Sequence, residues 1–186
     1  MRRTFARSLL LTLSLFAATT AQAGWNPLAK EKAEDQPAAS NAAAATIAAF
    51  KNKDPGIKVF FDKAYGYAVF PTVGKGGIGI GGAYGKAEVY ERGARVGTSS
   101  LTQLTIGFQL GGQAYSEIIF FKDKATLDTF KSGNFAFSAQ ASAVAITAGA
   151  SADADYSNGV AIFTLAKGGL MYEASVGGQK FRYTPK

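Results

Sequence analysis

Residues 74–86 read GKGGIGIGGAYGK, with glycine at seven of thirteen positions. No helix tolerates that density, because each interior glycine costs about 1 kcal/mol relative to alanine. The alternation Gly77-Ile78-Gly79-Ile80-Gly81 puts both isoleucines on one face of a strand and bare backbone on the other. Gly77, Gly79 and Gly82 also spell G-x-G-x-x-G. A dinucleotide site needs those glycines at a strand-to-helix turn, with the helix N-terminus facing the pyrophosphate. Here Ala83–Glu91 keeps a two-residue period rich in Tyr and Val, so no helix follows. The P-loop pattern fails too: neither Gly74-Lys75 nor Gly85-Lys86 has the earlier glycine or a following Ser/Thr. The stretch therefore reads as a strand that bends sharply or lies under a close neighbour. A smooth wall for a flat or flexible ligand is the functional version of that reading.

The chain on either side divides by period. Ala38–Phe50 is alanine-rich and helical by propensity, with Ala43, Ile47 and Phe50 on one face. Asp54-Pro55 is a helix start, a cap followed by proline in the first turn. Ile57, Phe60, Phe61 and Ala64 then form an i, i+3, i+4, i+7 stripe that ends near Gly66. From Tyr67 the period becomes two. Pro71 is expected to end a first short strand, and Leu104, Ile106, Phe108 and Leu110 share one face of a later one. Asp123–Lys131 reads as a single helix capped by Asp123, with Leu127 and Phe130 inward and Gly133 after it. Phe135 to about Ala150 alternates with small residues, and Ala166-Lys167-Gly168-Gly169 between two apolar runs signals a hairpin. The expected fold is α+β: N-terminal helices packed on a strongly curved antiparallel β-sheet of about eight strands, barrel-like at its extreme, with one short inserted helix.

Arg2, Arg3 and Arg7, the apolar run Ser8–Ala18 and Ala21-Gln22-Ala23 have the order of a cleaved signal peptide, so residues 1–23 are expected to be removed and the protein to be periplasmic. Arg2-Arg3-Thr4-Phe5 is also compatible with twin-arginine export. Residues 24–40, with Pro27, Pro37 and mixed charge, read as a flexible leader, and 41–186 as one domain. Without Arg2, Arg3 and Arg7 the formal net charge falls from +7 to +4, which permits attraction to an anionic surface without demanding it.

The chain has no histidine and no cysteine. Histidine-based triads, thiol nucleophiles, the usual zinc sites and disulfides are thereby excluded. No carboxylate pair stands out, and Asp153–Asn158 lacks the sixth-position glycine and twelfth-position glutamate of a calcium loop. It reads instead as a polar turn ending in Asn158-Gly159. No enzyme, cofactor or metal site is expected. Lys51, Lys53, Lys58 and Lys63 cluster around the second helix, diluted by Asp54 and Asp62. They are either a solvated helix face or a patch for an anionic surface. Nucleic acid is not the expected partner, because Phe60 and Phe61 belong to the apolar stripe rather than to a stacking platform.

The segment Ala64-Tyr65-Gly66-Tyr67-Ala68-Val69-Phe70-Pro71 resembles the A-x-G-x-A-x-F-P opening of the SYLF domain family. The likeness continues through Gly74-Lys75-Gly76-Gly77, Gly81-Gly82, Gly85, Gln109-Leu110-Gly111-Gly112-Gln113 and Ile118-Ile119-Phe120 to Gly169-Leu170, covering Ile47 to Tyr183. In those terms Gly76, Gly77, Gly79, Gly81, Gly82, Gly85, Gly111 and Gly112 are a structural motif. The resemblance implies phospholipid binding: eukaryotic members bind phosphoinositides through a basic, amphipathic N-terminal part, and some bind actin. The matching positions are Lys51, Lys53, Ile57, Lys58, Phe60 and Phe61. Gly97-Thr98-Ser99-Ser100-Leu101 lacks the W-S-x-P of the eukaryotic branch, and an exported protein does not meet actin. The expected partner is therefore an anionic phospholipid surface in the cell envelope. The rival reading is a small outer-membrane β-barrel, opposed by the helices and by the absence of a terminal aromatic residue.

Overall fold

Two strands carry most of the architecture. In this computed structural model, which describes residues 36–186 apart from 134, 139, 140 and 168–173, β1 runs Gly66–Glu91 and β2 runs Ala94–Phe121. They pair antiparallel from Gly66↔Phe121 to Glu91↔Ala94. The turn between them places Arg92 and Gly93 at φ +50° and +81°, the left-handed pair that suits the twist of a tight hairpin.

A straight strand of β1's length would span roughly 85 Å. Its two ends nonetheless meet, because the Arg92 N–H donates to the Tyr65 carbonyl at 2.9 Å. The hairpin is therefore folded over on itself. The crease lies in the glycine stretch, where Gly76 faces Gly112 and Gly77 faces Gly111 across the ladder, followed by a register slip between Ile78 and Ile80. With no side chain on either strand, nothing blocks the fold. At Gly77, φ is +156° and an added Cβ would lie 2.3 Å from the Gly81 Cα. At Gly85 it would lie 3.1 Å from the Thr72 carbonyl oxygen, because the two halves of β1 press together there.

The fold-over encloses one core and leaves another outside. Phe70, Val73, Val89, Leu101 and Ile119 line the inner side. Helix α3, Lys124–Lys131, adds Leu127 and Phe130, the latter 4.8 Å from Phe121 and 5.2 Å from Phe181 between ring centroids. On the outer side α1, Gln36–Lys53, the 3-10 turn Pro55–Ile57 and α2, Lys58–Lys63, bring Ala43, Phe50, Ile57 and Phe60 onto Val69, Ile118, Phe120 and Phe163. The remaining strands are β3 (Ser142–Ala145), β4 (Val160–Ala166), β5 (Ala174–Ser175) and β6 (Lys180–Pro185). The order is β1-β2-β4-β3-β5, and β6 pairs with the first half of β2.

The α+β class and the single inserted helix agree with the expectation, and four details differ. The sheet is mixed: β3 runs parallel to β4, with Val144 opposite Phe163. Parallel pairs need a crossover of a dozen or more residues, and 146–159 supplies it. Among the described residues six strands stand where about eight were expected, because β1 and β2 continue through bulges. Pro71 does not end its strand. β1 pairs on one side only, and the slip between Phe70 and Val73 removes the ladder position where a missing N–H would count. Finally, among the described residues the segment 135–150 contributes only β3 as strand, and β3 pairs with β5, Ser142 opposite Ser175; the turn of the expected hairpin, Gly168-Gly169, and the start of its second run lie outside the described residues. Among the described residues no ladder closes the sheet into a barrel. No described helix is long and apolar enough to cross a membrane.

Candidate functional site

The basic corner between α1 and α2 is built around Asp54. Its carboxylate accepts from the Gly56 N–H at 3.0 Å, capping the 3-10 turn Pro55–Ile57, and from the Ser151 N–H at 2.7 Å. Burial pushes the Asp54 carboxyl up, but the hydrogen bonds from Ser151 and Gly56 outweigh it and hold the group below its ordinary 3.8. Asp54 is 2% exposed, so its carboxylate is turned inward and is committed to the Gly56 and Ser151 N–H groups.

Those lysines divide by role. Lys51 and Lys53 fall in the last turn of α1, where cations complement the helix dipole. The Lys51 Nζ sits 4.5 Å above the Phe61 ring, a cation–π contact. Lys53, Lys58 and Lys63 are exposed, with Asp62 exposed beside them. The aromatic pair expected to accompany them faces the other way. Phe60, 8% exposed, packs on Phe163 at 4.8 Å and on Phe120 and Tyr156 at 5.6 Å. Phe61 meets Phe120 at 4.8 Å and Tyr67 at 5.2 Å. Both phenylalanines hold the helices to the sheet. The corner offers cations without an inserting aromatic.

Most of the glycines lie where the hairpin folds over or where its strands touch. Gly76, Gly77, Gly111 and Gly112 form the crease, Gly81 abuts Gly77, and Gly85 lets the two halves of β1 touch. Gly79 lies at the register slip, and Gly82 faces Leu104 across the ladder. β1 and β2 continue past them without a helix, so no phosphate-binding strand-to-helix turn exists here.

Two buried carboxylates escaped the sequence reading. Glu88 is 2% exposed, pairs with the Arg95 Nε at 2.7 Å and accepts from the Tyr90 hydroxyl at 2.6 Å. Glu117 is fully buried and accepts from the Gln179 side-chain amide at 3.0 Å. Burial pushes its carboxyl up to about 7, only partly opposed by that hydrogen bond. The available signal was one acid inside the apolar run Tyr115–Phe121. Its partner lies far along the chain on the approach to β6. Among the described residues no three His, Cys, Asp or Glu side chains gather to hold a metal ion.

A folded-over hairpin, a helical pair over half of its outer face and a basic corner define a small sheet-based module. Residues 102–184 match the family described as Ysc84, Las17-binding protein actin regulator, the SYLF family. The chain is also 30% identical over 142 residues to Beta cell expansion factor A of Aeromonas veronii, an alignment covering 70% of this chain and 50% of that protein. This chain carries a SYLF-family domain, and it spans about half the length of the curated relative it matches. Family membership agrees with lipid binding in general.

Proposed function

We propose that this protein is an exported, non-enzymatic phospholipid-binding module of the cell envelope, and that anionic lipid is its partner. The observation that carries the reading is the α1–α2 corner: Lys53, Lys58 and Lys63 are exposed around one turn, with Lys51 half-buried beside them, while the capping acid Asp54 is drawn inward. Each lysine near an anionic surface contributes about 1 kcal/mol of attraction, screened by salt. SYLF membership supports a lipid partner, and the N-terminal pattern of residues 1–23 supports export to the periplasm. Actin is not the partner proposed for an exported protein.

The test is flotation of the chain from Gly24 with vesicles of phosphatidylcholine alone and with added phosphatidylglycerol. Binding should require the anionic lipid and weaken as salt rises. Lys51→Glu, Lys53→Glu and Lys58→Glu together should reduce it strongly, with only a modest fall in melting temperature from the lost helix-end and Phe61 contacts of Lys51 and Lys53. Absence of binding to either vesicle would sink the function. Intact mass of periplasmic material beginning at Gly24 tests the export.

A further inference from the structure

The helices cover only half of the outer face of the folded hairpin. Behind α1 and α2, Val69, Ile118, Phe120 and Phe163 are fully buried. On the other half, formed by the end of β1, the start of β2 and β6, most outward residues are exposed, Glu88 being buried. Leu104 is 71% exposed, Ile80 68% and Tyr84 52%, three of the four large apolar side chains that stand out on the described surface. Isolated exposed apolar residues need no explanation, but these are neighbours.

The register shows how they are arranged. Directly paired residues point to the same side of a sheet. Ile80 faces Ile106, Gly82 faces Leu104, Tyr84 faces Thr102, and Lys86 faces Ser100. β6 extends the last two rows, with Lys180 opposite Thr102 and Arg182 opposite Ser100. One end of this face is therefore apolar and the other cationic. The next row carries Glu88, which is buried against Arg95 and the Tyr90 hydroxyl and shows no charge to the surface. An open groove of about 700 Å³ is lined by Ser100, Thr102, Lys180 and Arg182 of this face and also by Lys131 to Gly133 at the end of α3, Phe181 and Tyr183.

Same-face rows along a strand lie about 7 Å apart. The Leu104 row is thus one step from Lys180 and two from Arg182. An interfacial protein surface buries its apolar atoms about 5–10 Å into the headgroup–acyl boundary, with its cations at the phosphates. We infer that this uncovered face is a membrane-docking surface for anionic phospholipid, with Ile80, Leu104 and Tyr84 entering the bilayer and Lys180 and Arg182 meeting headgroup phosphates in the groove. The inference rests on the lipid-binding reading above and adds a surface remote from the lysine corner in sequence and element. The charge gradient selects a lipid surface over an apolar protein partner, which would have no use for cations on one side only.

Two double variants of the chain from Gly24 test it: Ile80→Asp with Leu104→Asp, and Lys180→Glu with Arg182→Glu. The chain from Gly24 keeps every residue the structure describes. Each double variant should weaken binding to phosphatidylglycerol-containing vesicles roughly tenfold or more, with an unchanged melting temperature, since two of the contacting groups are lost. A direct readout comes from Tyr84→Trp combined with Trp25→Phe. Its indole fluorescence should be quenched by brominated lipid in anionic vesicles and not in neutral ones. Wild-type-like binding by both double variants, or an indole left unquenched, overturns the inference. If only the reversal of Lys51, Lys53 and Lys58 abolishes binding, this surface falls while the lipid-binding function stands. If the wild type binds no vesicle, both fall. A dimer in sedimentation that Ile80→Asp with Leu104→Asp dissociates, without effect on vesicles, assigns the face to a second copy and overturns the inference.

Discussion

Tyr67 and Tyr90 stack at 4.9 Å between ring centroids with an interplanar angle of 18°, although they belong to opposite ends of one strand. The contact exists because β1 doubles back at its glycines, and everything that positions the surfaces follows from that. The inner core is what the two halves of the hairpin enclose. The outer face is what α1 and α2 cover on one half and leave open on the other.

The crease should be intolerant of side chains at particular glycines and indifferent at others. Gly77→Val adds a Cβ within 2.3 Å of the Gly81 backbone, at a φ of +156° that other residues rarely adopt. Overpacking of this kind costs about 1–3 kcal/mol, with backbone strain added. Gly85→Val should cost a similar amount, since its Cβ meets the Thr72 carbonyl and Val73. Gly74→Ala meets nothing within 4 Å and should leave stability nearly unchanged. Urea denaturation of the three variants checks the ranking. ATP and NAD should give no thermal shift, and a saturable shift with either would contradict the structural reading of the glycines.

What the sequence made legible was local chemistry. Asp123 caps α3 through the Thr126 N–H at 2.8 Å, and Leu127 and Phe130 point inward, all within one short segment. Asp54-Pro55 starts the 3-10 turn before α2, and Asn158-Gly159 makes its turn with both residues at positive φ. Strand continuity was not legible. Pro71 looks terminal until its edge position and the adjacent slip are known, and those depend on β2 about 45 residues away. The direction of β3 depends on the crossover 146–159, which Asp54 anchors through Ser151. Of the site, the lysine cluster could be read but the inward orientation of Phe60 could not. A stripe at helical spacing has the same pattern whether it meets a sheet or a bilayer.

Asp54 links two segments of the outer layer, so its loss should be felt at both. Asp54→Ala leaves the Gly56 and Ser151 N–H groups without their acceptor, the second of them buried. That predicts destabilisation of about 1–3 kcal/mol. The wild-type contribution has a pH signature. The folded carboxyl is held below 3.8, so its stabilisation is present above that value and lost as pH falls through the folded one. The alanine variant should therefore lose less stability than wild type on acidification in that range, as read by denaturant melts.

Glu117 should give the opposite dependence. Burial raises its carboxyl from 4.5 to about 7, so folding favours the neutral form. Its stabilising effect is fully present below 4.5 and is lost as pH rises through about 7. For wild type this predicts a loss on the order of 2–3 kcal/mol between pH 4.5 and pH 8. Glu117→Gln keeps an acceptor for the Gln179 amide and cannot ionise. It should flatten that slope and be more stable than wild type at pH 8. Equal slopes in the two proteins would show that Glu117 is ionised in the fold.

Phe60 separates packing from binding. Its ring contacts Phe120, Phe163 and Tyr156, and it is 8% exposed. Removing such a ring from a core costs about 3–5 kcal/mol, part of it from the cavity left between α2 and the sheet. Phe60→Ala should therefore lower the melting temperature strongly. Phe60→Leu, closer in volume, should lower it less. Below its melting transition, the folded leucine variant should bind anionic vesicles as wild type does, because neither the lysines nor the open outer face is altered. A membrane-inserting Phe60 predicts the reverse: little change in melting and a clear loss of vesicle binding. Measuring both quantities on one preparation distinguishes the two roles. An intact melting temperature with lost binding would return Phe60 to the membrane and require α2 to rotate away from Phe120 and Phe163.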